Sequence, residues 1–248
     1  PEIKTTITNA TTEIKNGWYT KDINVEIEVT DSKSGIVETV KVNINGKEET
    51  INLNEEGKGN FKISESGNDI SYTVEAEDKL GNTSTKTQTG IKLDKTAPTI
   101  EVEVPAGSGT NGEYIEENII VKVTGTDVNS GFNRLAYTVG IKNEEGKVVY
   151  PTNENGNTKF EYINNLNGIT TLEREITINL LNVDNKNVVI WVVGVDNAEN
   201  KTNEYIELGL VDTVAPEVSY ETEAESGEEK WNKPFEVEIT TPSTDVVK

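Results

Sequence analysis

Aspartates recur in this chain at fixed places beside small polar turns. Asp31 opens Asp31-Ser-Lys-Ser-Gly35 and Asp127 opens Asp127-Val-Asn-Ser-Gly131. Asp78 and Asp196 open Asp-x-x-x-Asn turns that close at Asn82 and Asn200, while Asp94 and Asp212 stand shortly before Ala97-Pro98 and Ala215-Pro216. Asp245 follows Thr244 near the end. Carboxylate and amide oxygens that converge are what a hard cation such as Ca²⁺ requires. The candidate ligands are Asp94, Asp127 and Asp196 at one junction, and Asp212 with Asp245 at the next. The plainer alternative needs no ion, because Asp and Asn side chains cap turns with their own backbone. No EF-hand loop is present.

Other chemistry is poorly provided for. The 248 residues include no Cys, His or Met. That removes disulfides, thiol nucleophiles, thiolate metal sites and the commonest general base. Neither a Gly-x-Ser-x-Gly elbow nor a phosphate-binding loop occurs. Glutamate pairs that could suggest glycoside hydrolysis (Glu26/Glu28, Glu101/Glu103, Glu236/Glu238) alternate with apolar residues, as the wet face of a strand does. The chain is read as non-catalytic. Its formal net charge of −21 makes nucleic acid and anionic membrane poor partners. No apolar run is long enough to span a bilayer, so direct membrane insertion is not expected.

Two copies of one pattern must position these aspartates. Asp78 to Pro98 and Asp196 to Pro216 each span 20 residues, and Pro1, Pro98 and Pro216 begin similar runs. The units are 1–97, 98–215 and the start of a third, 216–248, which is too short for a core of its own. The lack of an initiator Met and this cut-off third unit suggest a segment of a longer protein. In the first unit, Ile23, Val25, Ile27 and Val29 alternate with polar residues, Asn45-Gly46 signals a tight hairpin, and about seven short strands follow at regular spacing. Such spacing predicts a β-sandwich. The second unit repeats the order but is longer between Gly131 and Asp196, which predicts an added hairpin or loop within 143–181. Strand 188–195 is apolar on both faces, so the insertion is expected to cover Trp191; uncovered, that residue would be a contact site. In the third unit, Phe235-Glu-Val-Glu-Ile239 matches Ile23-Asn-Val-Glu-Ile27.

The landmarks Asn16-Gly-Trp-Tyr-Thr-Lys-Asp22, Asp31-x-x-Ser-Gly35, Asp78-Lys-Leu-Gly-Asn82 and Asp94-Lys-Thr-Ala-Pro98 resemble the tandem Ig-like repeats of large bacterial surface and secreted proteins. The second unit departs at Glu199, where such repeats usually carry Gly. The resemblance implies an all-β array of tandem Ig-like sandwich domains, extracellular, on a bacterial cell surface or secreted. It also implies that the B–C and F–G loops, which hold these aspartates, face the incoming linker.

The leading functional expectation is a structural spacer or stalk of a cell-surface protein such as an adhesin or fibre, its immediate partners being the adjacent Ig-like domains of the same chain. One alternative is an accessory module of a polysaccharide-degrading enzyme that binds a surface glycan or protein. Another is a self-assembling fibre or surface-layer subunit in which like chains pair through the strands after Pro216. Trp18, Tyr19, Tyr114 and Trp231 precede strand B in each unit, and read either as a plug on the core or as a platform for a sugar ring. Tyr150, Phe160 and Tyr162 in the insertion are the candidates for a contact particular to the second unit. Lysine–asparagine isopeptide bonds are conceivable for such surface domains, but no spacing singles out a pair.

Overall fold

The computed structural model describes residues 1–184 and 186–215, together with the backbone of 219–222 and 237–240. The first sandwich contains β1 (Glu2–Ile7), β2 (Ile14–Lys15), β3 (Trp18–Tyr19), β4 (Ile23–Thr30), β5 (Ile36–Ile44), β6 (Lys47–Asn52), β7 (Lys58–Ile63), β8 (Gly67–Asp78) and β9 (Thr83–Leu93). One sheet has the order β1-β4-β7; the other runs β2-β3-β9-β8-β5-β6. With β1, β4, β5, β7, β8 and β9 taken as A, B, C, E, F and G, this is an Ig-like sandwich in which β6 pairs with C. A short 3₁₀ turn at Thr11–Glu13 separates β1 from β2.

Alternation decides which face each strand buries. In β4, Ile23, Val25, Ile27 and Val29 point inward and are buried, while Asn24 and Glu26 are exposed. They meet Val40 and Val42 of β5 and Tyr72, Val74 and Ala76 of β8 in one core. Phe61 and Tyr72 pack edge to face at 5.1 Å, and the Tyr72 hydroxyl, unable to stay dry without a partner, bonds Thr5 Oγ1 across the sheets at 3.0 Å. The β5–β6 hairpin turns on Asn45 and Gly46, both at positive φ (47° and 88°), the backbone that a tight primed turn demands.

The second sandwich contains β10 (Thr99–Glu103), β11 (Asn118–Thr126), β12 (Phe132–Lys142), β13 (Val148–Val149), β14 (Glu161–Ile163), β15 (Thr171–Asn179), β16 (Lys186–Asp196) and β17 (Lys201–Val211). Its sheets are β10-β11-β15 and β13-β12-β16-β17, with β14 also on β12. The extra residues thus form a split edge. β13 holds the Ile141–Lys142 end of β12, β14 holds Leu135–Tyr137, and Thr152 bridges Thr158 in the excursion between them. From Thr171 onward the chain is an ordinary strand again, so the insertion is confined to 143–170. Phe132, Leu135, Leu172 and Ile190 lie fully buried in the core beneath.

Beyond Val211, β18 (Ser219–Thr222) pairs antiparallel with β19 (Val237–Thr240). In the two sandwiches Lys4↔Glu28 and Glu101↔Thr124 are equivalent pairs of the first two strands, so they share one register. The side chains expected to matter in 216–248, Trp231 and Asp245 among them, lie outside the described residues.

Aromatic residues close the sandwich ends. Trp18 and Tyr114 are buried, and Tyr19 and Tyr114 form parallel bridges to Leu93 and Val211 at the ends of β9 and β17. The Tyr114 hydroxyl is held by the Pro105 carbonyl at 2.6 Å. Trp18 and Tyr114 plug the core, and Tyr19 is half-buried.

Candidate functional site at the junction of the sandwiches

The linker between β9 and β10 is only residues 94–98, and its first residue is wholly buried. Asp94 is 0% exposed, Asp127 5% and Asp196 0%. One carboxylate oxygen from each lies within 4.8 Å of the others. Three elements bring them together. β9 ends at Leu93, and the Asp94 amide donates to the Tyr19 carbonyl at 2.9 Å, which aims the linker at the next sandwich. The β11–β12 loop carries Asp127, whose Oδ1 accepts from the amides of Asn129 (3.1 Å) and Gly131 (2.7 Å). The β16–β17 turn carries Asp196, which accepts from the Asn200 amide (2.8 Å) and side chain (2.9 Å).

Gly131 makes the loop possible. Its φ is +71°, and a Cβ there would stand 2.2 Å from the Gly168 carbonyl oxygen. Glu199 occupies a left-handed conformation (φ 66°) where the first copy has Gly81 (φ 88°). The cost of that backbone is offset by a two-pronged pair with Arg134, 3.2 Å on each arm.

Further bonds tie the linker to the second sandwich. The Ser130 amide donates to Asp94 Oδ2 at 3.1 Å, and Asn129 Nδ2 donates to Thr96 Oγ1 at 3.2 Å. Asn200 Nδ2 reaches the carbonyls of Thr96 (3.1 Å) and Asp94 (3.3 Å). Asn16, in the first sandwich's Asn-Gly turn, donates to the Asn197 carbonyl at 3.0 Å.

The same loop pair in the first sandwich supplies an internal control. There Ser34 Oγ bonds both Asp31 (3.0 Å) and Asp78 (2.9 Å), and the chain's N-terminal ammonium lies 3.4 Å from Asp31. Both carboxyls are held below the usual range: Asp31 chiefly by the Ser34 and Lys33 amides, Asp78 to about 2 chiefly by the Asn82 side chain. At the junction the balance reverses. Burial first, then the charges of Asp94 and Asp127, pushes Asp196 up to about 6; burial, with Asp94 nearby, raises Asp127. Among the described residues no lysine or arginine pairs with any of the three. Ser130 Oγ, counterpart of the bonded Ser34 hydroxyl, is buried without a hydrogen-bond partner.

These residues fit a hard divalent cation. The donors are all oxygen, and ligand oxygens across a Ca²⁺ stand roughly 4.6–5.2 Å apart at bond lengths of 2.3–2.6 Å. Three buried carboxylates without a counter-charge are costly, and a cation removes that cost. Asp212 sits apart from this cluster. Its amide repeats the Asp94 contact, donating to the Tyr114 carbonyl at 2.9 Å, while Asp245 lies outside the described residues. The signal that sequence reading missed is Ser130, visible only as the serine of the Asp-x-x-Ser-Gly loop.

No protein-family model matches the chain, and no curated protein matches it. Among solved structures it is similar to a Ca²⁺-stabilized adhesin with which an Antarctic bacterium binds ice: 17% identity, 89% of this chain and 51% of that one, TM-score 0.37. It is also similar to part of a 1.5-MDa bacterial ice-binding adhesin: 16% identity, 89% and 68% coverage, TM-score 0.36. A third likeness is to fibronectin(III)-like modules of Clostridium thermocellum CbhA: 14% identity, 85% and 95% coverage, TM-score 0.33. The chain spans about half the length of the first of these.

Proposed function

We propose that this chain is a non-catalytic spacer of a bacterial cell-surface protein, extracellular, whose first joint is stiffened by Ca²⁺. The observation that carries this reading is Asp94, a linker carboxylate buried against Asp127 and Asp196 of the following sandwich. In this reading Asp94, Asp127 and Asp196 hold the cation, with the Ser130 hydroxyl beside them. The ion supplies positive charge to a cluster that otherwise lacks it, and so couples the linker to two loops of the next unit. The linker suits the role, being five residues long and closed by Pro98, whose φ is restricted. A joint with a short linker and several cross-joint hydrogen bonds transmits orientation from unit to unit, as a stalk requires. Extracellular modules bind calcium with dissociation constants of about 10⁻⁴–10⁻³ M, a range filled outside the cell.

The test is small-angle scattering and calorimetry of the chain in calcium and in chelator at equal ionic strength. The expected result is a higher melting temperature and a narrower spread of interdomain distances with calcium. Identical profiles and melting in both buffers would remove calcium from the joint and leave hydrogen bonding and proline to set its geometry.

A further inference from the structure

The second sandwich carries a depression on the outer face of its β12-β16-β17 sheet. Cross-strand register lays it out in rows. The middle row is low, with Ala136 of β12 beside Val193 of β16. Tyr162 and Asn203 flank that row from β14 and β17. One end is an aromatic wall: Trp191 stacks on Tyr205 at 5.3 Å and meets Phe160 edge to face at 4.8 Å. Tyr150 closes over the far side of Trp191, at 5.3 Å. The other end carries Lys201 and the Arg134–Glu199 pair. The enclosed volume is about 220 Å³, below the ~300–1,000 Å³ of sites for drug-sized ligands and suited to one ring.

The insertion therefore covers Trp191 only in part. It leaves Tyr162 and Tyr205 each 57% exposed beside a buried apolar floor. The first sandwich shows what this face looks like when it only meets water. Thr73, Glu75 and Glu77 stand where the second has Trp191, Val193 and Val195, and Thr87, Thr85 and Thr83 stand where it has Tyr205, Asn203 and Lys201. There Thr73 and Thr87 simply bond each other at 3.0 Å. A spacer needs nothing more, so the aromatic and apolar replacements are particular to the second unit.

We infer that this depression binds one acidic sugar residue of a glycan, its ring face against the exposed Tyr162 ring above the buried Ala136–Val193 row, its edge against the aromatic wall, and its carboxylate at Lys201. An exposed aromatic ring with a polar rim matches a pyranose, which is apolar on its C–H faces and polar at its edge. The rim is rich in donors. Asn203 Oδ1 is taken by the Trp191 indole N–H at 3.1 Å, which leaves its Nδ2 to donate. Arg134 is engaged by Glu199, but Lys201 has no ion-pair partner among the described residues. On a chain of net charge −21, an end where Lys201 and Arg134 outnumber the single carboxylate of Glu199 is complementary to an anionic ligand. A peptide strand is disfavoured by position. It would add to a sheet edge, whereas this is a sheet face whose backbone groups are committed to the β12–β16–β17 ladder.

The proposal is independent of the calcium reading, and its test is run in chelator to keep the two apart. The full chain is titrated with trigalacturonate and with a hyaluronan tetrasaccharide, with cellotetraose as neutral control, followed by calorimetry and by the NMR signal of the Trp191 indole N–H. The expected result is binding of an acidic oligosaccharide with a shift of that signal, and at least tenfold weaker binding in Lys201→Gln and in Tyr162→Ala. Both substitutions are at exposed side chains and leave the core intact. No binding of either acidic sugar at millimolar concentration would overturn the proposal. So would equal affinity for cellotetraose, or binding that neither substitution changes.

Discussion

In chelator, the second sandwich is expected to become more stable as the pH falls from 7 to 5, the reverse of ordinary acid destabilisation. Asp196 has its folded-state pKa raised to about 6, against an ordinary value of about 3.9. Between those values the folded state holds more protons than the unfolded one, so stability declines as the pH rises through the window. The whole gap corresponds to at most about 3 kcal/mol, and the step from pH 7 to pH 5 recovers about 1.3 kcal/mol of it. For a unit of this size that is a rise in Tm of about 4 °C. The chain has no histidine to titrate in this window, and Asp127, also raised by burial, acts in the same sense. The depressed carboxyls of Asp31 and Asp78 act below it, since their stabilisation is lost only as the pH falls past the unfolded value. Calcium should invert the trend, because protons and the cation compete for the same oxygens. The assay is scanning calorimetry at pH 5, 6 and 7 in chelator, with Asp196→Asn as control. A flat profile, or a slope that persists unchanged in Asp196→Asn, would refute the reasoning, because the effect would then not arise from this buried carboxyl.

Three further outcomes follow from the same geometry. Asp94→Asn should abolish the stabilisation by calcium, which for the unaltered chain is about 2.7 kcal/mol at a hundredfold excess over the dissociation constant, and scattering should show a looser joint. Phe132→Ala, at a side chain that is fully buried in the second core, should cost about 3–5 kcal/mol in denaturant unfolding while leaving the first sandwich's transition in place. Glu199→Gly relieves the left-handed backbone (φ 66°) but removes the Arg134 pair; those opposing effects of about 1 kcal/mol each leave unfolding stability nearly unchanged, as parallel denaturation curves would show.

Much of the architecture is legible in the chain because alternation is a local property. Ile23, Val25, Ile27 and Val29 must share a face whatever surrounds them, and Asn45-Gly46 selects its turn from backbone conformation alone. Repeated landmarks likewise mark the order of the two sandwiches, and the equivalence of Lys4 and Glu101 reappears as one register. The edge of the second sandwich is different. Residues 143–170 carry turn signals but little period, so only packing on β12 could split them into β13 and β14 and send Phe160 and Tyr150 to Trp191. The junction divides in the same way. Sequence spacing marks Asp94, Asp127 and Asp196 as related, since each recurs beside its own turn. Their burial, the raised carboxyl of Asp196 and the unpartnered Ser130 hydroxyl exist only once two sandwiches close on the linker. Residue types are inherited along the chain, whereas desolvation and the field of neighbouring charges depend on what the fold brings within a few ångströms.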